Sequence, residues 1–208
     1  MTICLVTDRR RRAPVEQARD AAAAGVDLIQ VRERDLEARD LSELVAGVVA
    51  VTRVSATRVV VNDRLDVALA CGADGVHLRG DSIPPARART MVPEGFLIGC
   101  SVHGVDEAVA AARDADYLVA GTVFSTASKP GLTEFLGLEG LGRIAKAVHV
   151  PVLAIGGVSL DRAADVAASG AAGLAAISLF QDAQRPIKEV VRQLRERFNI
   201  HSDSFPRL

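Results

Sequence analysis

Eight short runs rich in β-branched and small apolar residues recur along the chain, at 2–8, 27–33, 58–62, 75–78, 97–102, 117–122, 151–156 and 173–179. Longer amphipathic, alanine-rich stretches separate and follow them, at 14–24, 40–54, 65–71, 84–91, 105–114, 138–148, 160–169 and 186–198. One helix after every strand is the pattern of successive βα units and a parallel sheet. Parallel neighbours need a crossover, and that crossover is right-handed. Eight short, similar units predict the α/β class and a single (β/α)8 TIM barrel, and suit closure better than the rival, an open doubly wound sheet.

The 208 residues hold one such domain, predicted over 1–199, with a tail at 200–208. Hydrophobic residues make up 49% of the chain with only six Phe and one Tyr, so aliphatic side chains must fill the core. A formal net charge of −1 gives no global attraction to nucleic acid or to acidic membranes. Any anion site must therefore come from local placement, and the expected partners are small molecules. A homo-oligomer is compatible with this composition. Cys4, Cys71 and Cys100 stand singly in apolar segments without metal-site spacing, and read as small buried residues. Their odd number, with no secretory leader in the sequence, points to a reducing cytoplasm. No apolar run approaches the roughly 18 residues that would read as a membrane span.

In a barrel of this kind the informative polar residues stand at the carboxyl ends of the strands. Here the second run ends in Gln30, Arg32 and Arg34, the third in Asn62, Asp63 and Arg64, and the fifth in Ser101 and His103. The sixth runs into Thr126, Ser128 and Lys129, inside an aperiodic segment at 123–137 whose length marks it as functional or mobile. Gln30, Arg32 and Arg34 alternate, so a strand that persisted that far would aim all three at the barrel mouth. Two cations on one face call for an anion, and a guanidinium fork suits phosphate. The competing reading pairs them with Glu33, Asp35 or Asp63.

Ala154 to Gly157 and Ala175 to Ser178 close the seventh and eighth runs, where backbone N–H groups at glycine-rich turns can cradle a phosphate or merely make tight turns. Asp63 is the best candidate to ligate Mg2+, with Asp66 and Asp81 as helpers. His77, inside a strand, and His103, just after one, read equally well as satisfied structural histidines. The basic run Arg9 to Arg12 reads as a solvated loop in preference to a phosphate contact.

In this order and spacing, QVRER at 30–34, VNDRLDVAL at 61–69, ADGVHL at 73–78, GCSVH at 99–103, GTVFSTASK at 121–129 and AIGG at 154–157 resemble the thiamine-phosphate synthase family and its relatives, the thiazole tautomerases. The resemblance covers nearly the whole chain. It implies condensation of a hydroxymethylpyrimidine diphosphate with a thiazole phosphate, with Mg2+ present and pyrophosphate released. It implies that Arg32, Arg34, Asn62 and Lys129 hold the diphosphate and that Asp63 binds the metal, with Asp81 as a second candidate ligand. Gln30, Ser101, Thr126 and Ser128 would line the pyrimidine pocket, and Gly156, Gly157, Ile177 and Ser178 would cradle the thiazole phosphate. Arg32, Lys129 and Asp63 would carry catalysis.

Three departures stand out. Arg34 replaces the family's usual lysine, and Thr122 stands where synthases usually carry proline. The usual GQDD after the fourth strand reads RGDS at 79–82, so Ser82 stands where a second metal carboxylate is expected. Asp81 would serve there only after a shift of about one residue, roughly 3.3–3.6 Å of chain. These departures admit a thiazole tautomerase, although the histidine expected for it is Thr122 here, and a non-catalytic binder of thiazole phosphate or thiamine phosphate.

Overall fold

A computed structural model describes residues 1–126, 131, 133–181 and 185–199. In chain order the elements are β1 (Thr2–Val6), α1 (Pro14–Ala23), β2 (Leu28–Val31), α2 (Ala38–Thr52), β3 (Arg58–Asn62), α3 (Leu65–Ala70), β4 (Gly75–Leu78) and α4 (Pro85–Arg89). The second half continues with β5 (Leu97–Val102), α5 (Val105–Ala111), β6 (Tyr117–Gly121), α6 (Gly137–Ala147), β7 (Val152–Ile155), α7 (Ala163–Ala168), β8 (Gly173–Ala176) and α8 (Ile187–Asn199). Each strand pairs in parallel with the next, and β8 returns to β1, closing the expected (β/α)8 barrel.

Side chains alternate across each strand. Ile3 and Leu5 of β1 face outward into the layer shared with the helices, where they join Val45 and Val48 of α2 and Leu194 of α8. Cys4 and Val6 face inward, where Leu28, Val60, Leu97, Tyr117, Val119, Leu153 and Ala175 fill the barrel. Each fully buried aliphatic side chain contributes about 1.5–3 kcal/mol. Burial pushes the Cys4 and Cys100 thiols up to about 12, so both stay protonated as packing groups. Cys71 is only half-buried, and its Sγ donates to the Ser42 carbonyl at 3.4 Å.

Five strands, β1, β2, β6, β7 and β8, end earlier than their runs. β2 stops at Val31 because the chain beyond it leaves the ladder for side-chain partners. The Arg32 N–H donates to Thr7 Oγ1 at 3.0 Å, while the Glu33 carboxylate accepts from Thr7 Oγ1 at 2.8 Å and from the Arg9 N–H at 3.0 Å. β8 stops at Ala176, and Ser178–Phe180 winds into a short 3-10 turn.

The amino-terminal rim carries a repeated device. Just before β2, β4 and β6 stand Asp27, Asp74 and Asp116, whose backbone N–H groups donate to the carbonyls of Ile3, Val59 and Ile98 on the preceding strand. Each carboxylate then accepts the N–H of that same residue, at 2.7 Å in all three cases. The fourth equivalent position is Ala172, whose N–H reaches the Val152 carbonyl but which has no carboxylate to return. Asp116 also receives Arg89 Nη2 at 2.7 Å. Replacing Asp116 by alanine strands a buried N–H and a cation, and is expected to lower stability by about 1.5–3 kcal/mol in urea denaturation, with activity per folded molecule unchanged.

Candidate functional site

The opposite rim gathers the polar strand ends. Gln30 and Asn62 are buried inside it, and Gln30 Nε2 donates to Asn62 Oδ1 at 3.0 Å. Arg32 is half-buried beside them and Arg34 is exposed. Neither makes an ion pair with a described residue: Glu33 is held by Thr7 and Arg9, Asp35 by Arg9 and Arg10, and Asp63 by Arg79. The acidic residues that might have paired them are thus already engaged. Burial, followed by the charges of Arg34 and Arg79, holds the Arg32 guanidinium below its usual range. The run Arg9 to Arg12 is absorbed by neighbouring carboxylates, Asp8, Glu16, Asp20, Glu33 and Asp35, as expected of a solvated loop.

Asp63 sits at the end of β3 with a left-handed backbone, φ 64°, a conformation that aspartate tolerates better than most side chains. Its N–H donates to the His77 carbonyl at 2.9 Å, which fixes the carboxylate at the rim. Ser82 Oγ donates to Asp63 Oδ1, and Arg79 Nη1 to Oδ2 at 3.4 Å. Arg79 Nη2 pairs with Asp81, whose side chain is 69% exposed. Asp66, the other helper, pairs with Arg64. A cavity of ≈ 170 Å³ opens over these loops, lined by Arg34, Asn62, Asp63, Arg64 and Arg79 among others. Its apolar lining, Val31, Leu36 and Leu41, belongs to the layer between the strands and the helices, and Arg79 forms part of its wall while its charge reaches Arg32.

This donor set does not fit a divalent ion. Each Asp63 oxygen already accepts a hydrogen bond, Asp81 turns to the same guanidinium, and a positive charge stands beside the carboxylate that an ion would need. Among the described residues no three His, Cys, Asp or Glu side chains converge on a common point. Asp63 and Asp81 are brought together, but by Arg79.

Below the rim, the buried His77 ring places Nδ1 3.2 Å from the Tyr117 hydroxyl and Nε2 2.9 Å from Ser101 Oγ. Burial, then the charge of Arg32, lowers its pKa from 6.5 to about 4, so the ring is neutral at pH 7. A neutral imidazole has one donor and one acceptor, which the two hydroxyls satisfy while orienting Ser101. Between pH 6.5 and about 4 the unfolded chain takes up this proton and the folded chain does not. Stability present above pH 6.5 is therefore lost as the pH falls through that window, by on the order of 2–3 kcal/mol. Urea midpoints measured at pH 7 and 4.5 should show this fall, and His77→Gln should remove that part of it. His103, by contrast, is exposed and pairs with Glu107.

On the far side of the mouth, Gly156 and Gly157 adopt φ 96° and 63°. A Cβ on Gly156 would lie 2.4 Å from Thr122 Cγ2, and one on Gly157 2.3 Å from the Ser125 carbonyl. These glycines first admit the segment after β6, which bonds to β7 through Val123 N–H to Ile155 O at 2.9 Å and Phe124 N–H to Gly156 O at 3.0 Å. Arg162 fastens the same corner, donating to the Gly157 carbonyl at 2.7 Å and lying 4.3 Å from the Phe124 ring centre. Ile177 packs on the barrel interior, Ser178 is exposed at the start of its turn, and Thr126 is half-buried. Ser128 and Lys129 lie outside the described residues, as does the tail.

Sequence reasoning passed over three features: the Arg79 bridge, the left-handed Asp63 and the Tyr117–His77–Ser101 chain. A charged residue at the first position after a strand was the available signal for Arg79. The other two depend on inter-strand register, which places His77 opposite Asn62 and Gly99, with Gly99 opposite Tyr117.

A small (β/α)8 barrel whose carboxyl rim carries arginines without ion-pair partners among the described residues defines the class. Within it, the family model described as thiamine monophosphate synthase matches residues 3–180, and the chain belongs to that family. Thiamine-phosphate synthase from Methanoculleus marisnigri is 44% identical over 197 residues, covering 93% of each chain. The enzyme of that name from Methanoregula boonei is 42% identical over 195 residues, covering 93% of this chain and 90% of its own. The solved thiamine phosphate pyrophosphorylase from Pyrococcus furiosus superposes with a TM-score of 0.85 at 36% identity, with 96% of each chain covered.

Proposed function

We propose that the chain is a thiamine-phosphate synthase, which joins a hydroxymethylpyrimidine diphosphate to a thiazole phosphate and releases pyrophosphate. The observation that carries this reading is the pair Arg32 and Arg34, held at the rim without carboxylate partners among the described residues. When the bond from the pyrimidine methylene carbon to the diphosphate oxygen breaks, the electron pair stays on oxygen. Fixed cations facing that oxygen stabilise the developing charge. The thiazole nitrogen then closes on the carbon, so the protein needs to orient and shelter the pair more than to move protons.

In this reading Gln30, Asn62 and Ser101 seat the pyrimidine and the inner diphosphate oxygens, with Thr126, Ser128 and Lys129 completing that side. Gly156, Gly157, Ile177 and Ser178 receive the thiazole phosphate at the turns after β7 and β8. No step needs to pass through Mg2+ on Asp63, whose carboxylate is already engaged by Arg79 and Ser82. The chain would act in the cytoplasm on small phosphorylated molecules; no helix among the described residues is long and apolar enough to cross a membrane.

Incubation of the purified protein with both substrates, with and without Mg2+, should yield thiamine phosphate and pyrophosphate. A folded protein that binds thiazole phosphate by calorimetry yet forms no product would overturn the synthase in favour of a binder. Proton exchange or rearrangement on a thiazole carboxylate phosphate, in place of condensation, would favour the tautomerase.

A further inference from the structure

We propose that Arg79 is a built-in cation for the diphosphate, occupying the position at Asp63 where the family resemblance sets a divalent metal ion. The inference rests on the synthase reading and deepens it. Arg79 follows directly on β4. Its N–H donates to Ser82 Oγ at 2.8 Å, and the Ser82 N–H donates back to the Arg79 carbonyl at 3.1 Å. This closed turn pins the base of the side chain at the rim.

The guanidinium is then aimed by two carboxylates, Asp63 through Nη1 and Asp81 through Nη2. Those contacts use two of its five N–H donors. The others remain on a group that is 29% exposed and lines the cavity together with Arg34. A planar fork with free donors suits the non-bridging oxygens of a diphosphate.

The exchange of residues is coherent. Ser82 stands where a second carboxylate is expected, and its hydroxyl, a donor, secures the remaining Asp63 oxygen. A magnesium ion at its usual distance of about 2.0–2.1 Å from a carboxylate oxygen would meet the positive charge of the guanidinium on the same carboxylate. Asp63 and Ser82 thereby become positioning residues for Arg79. Arg32, Arg34 and Arg79 would surround the leaving group with three cations that require no metal loading.

The test is calorimetric titration of inorganic pyrophosphate into the full chain, first with a chelator and then with excess Mg2+. The wild type should bind pyrophosphate in chelator, and Mg2+ should change the affinity by less than about threefold. Arg79→Ala should weaken binding in chelator by roughly tenfold to a hundredfold. Mg2+ should recover part of that loss, because Asp63 is then released. Arg79→Lys, which keeps the charge without the fork, should fall between, and circular dichroism melts establish that both variants are folded.

Wild-type binding that appears only with Mg2+, no binding under either condition, or an Arg79→Ala affinity within about threefold of wild type in chelator would each overturn the assignment. Failure of the synthase reading looks different. Pyrophosphate would bind without metal and depend on Arg79, yet the two organic substrates would give no thiamine phosphate.

Discussion

Replacing Arg32 by alanine is expected to lower kcat/KM for the pyrimidine diphosphate by about two to three orders of magnitude, the usual consequence of removing one pre-aligned donor from a developing oxyanion. Affinity for thiazole phosphate should stay within about twofold, because that phosphate is assigned to the other side of the mouth. The thermal midpoint should hold or rise slightly. Arg32 is half-buried without a described carboxylate partner and feels the charges of Arg34 and Arg79, so the free protein loses nothing when it is removed. Turnover within threefold of wild type would remove Arg32 from the chemistry. A midpoint lower by many degrees would make it part of the fold instead.

Gly99→Ala should produce the largest loss of stability. An added Cβ would lie 2.1 Å from Tyr117 Cζ and 2.3 Å from its hydroxyl. The ring cannot swing aside, because it is fully buried inside the barrel and its hydroxyl meets His77. Overpacking of this severity costs about 3 kcal/mol or more, which for a chain of this size is roughly 6–12 °C in the thermal midpoint. Adding Tyr117→Leu should recover at least about half of the loss, since it removes the atoms that collide. Strictly additive losses would show that the obstacle is elsewhere.

The barrel was legible because its signal is repeated: each of the eight apolar runs and helical stretches corresponds to an element, and the differences lie at the ends, where β1, β2, β6, β7 and β8 stop short of their runs. β2 was misread at its end because alternation through Arg32 and Arg34 looks like strand continuation. The feature that stops it, Glu33 reaching across to Thr7 and Arg9, joins residues about 25 positions apart and leaves no local trace. At the site, residue types at strand ends pointed to an anion-binding mouth. They could not show that Asp63 already had partners, since Arg79 and Ser82 meet it across a gap set by the β3–β4 register. The turn at Gly156 and Gly157 reads in the sequence as a phosphate cradle or a tight turn, whereas the space these glycines leave is first filled by the segment after β6. The quietest sequence feature, an aspartate before β2, β4 and β6 but not β8, turned out to be a structural rule of the opposite rim.

That rule has a bearing on how the barrel comes apart. Carboxylate clasps join β1 to β2, β3 to β4 and β5 to β6, but Ala172 leaves β7 and β8 to backbone bonds alone at the same level. Among these four equivalent pairs β7–β8 is thus the weaker one, and it should open before the other three, seen as faster amide exchange at the start of β7 than at the equivalent positions of β1, β3 and β5. The same two strands end at the turns assigned to the thiazole phosphate. A ligand bridging those turns would close at one rim what is unfastened at the other, so occupancy of the site should slow the breathing of the whole cylinder.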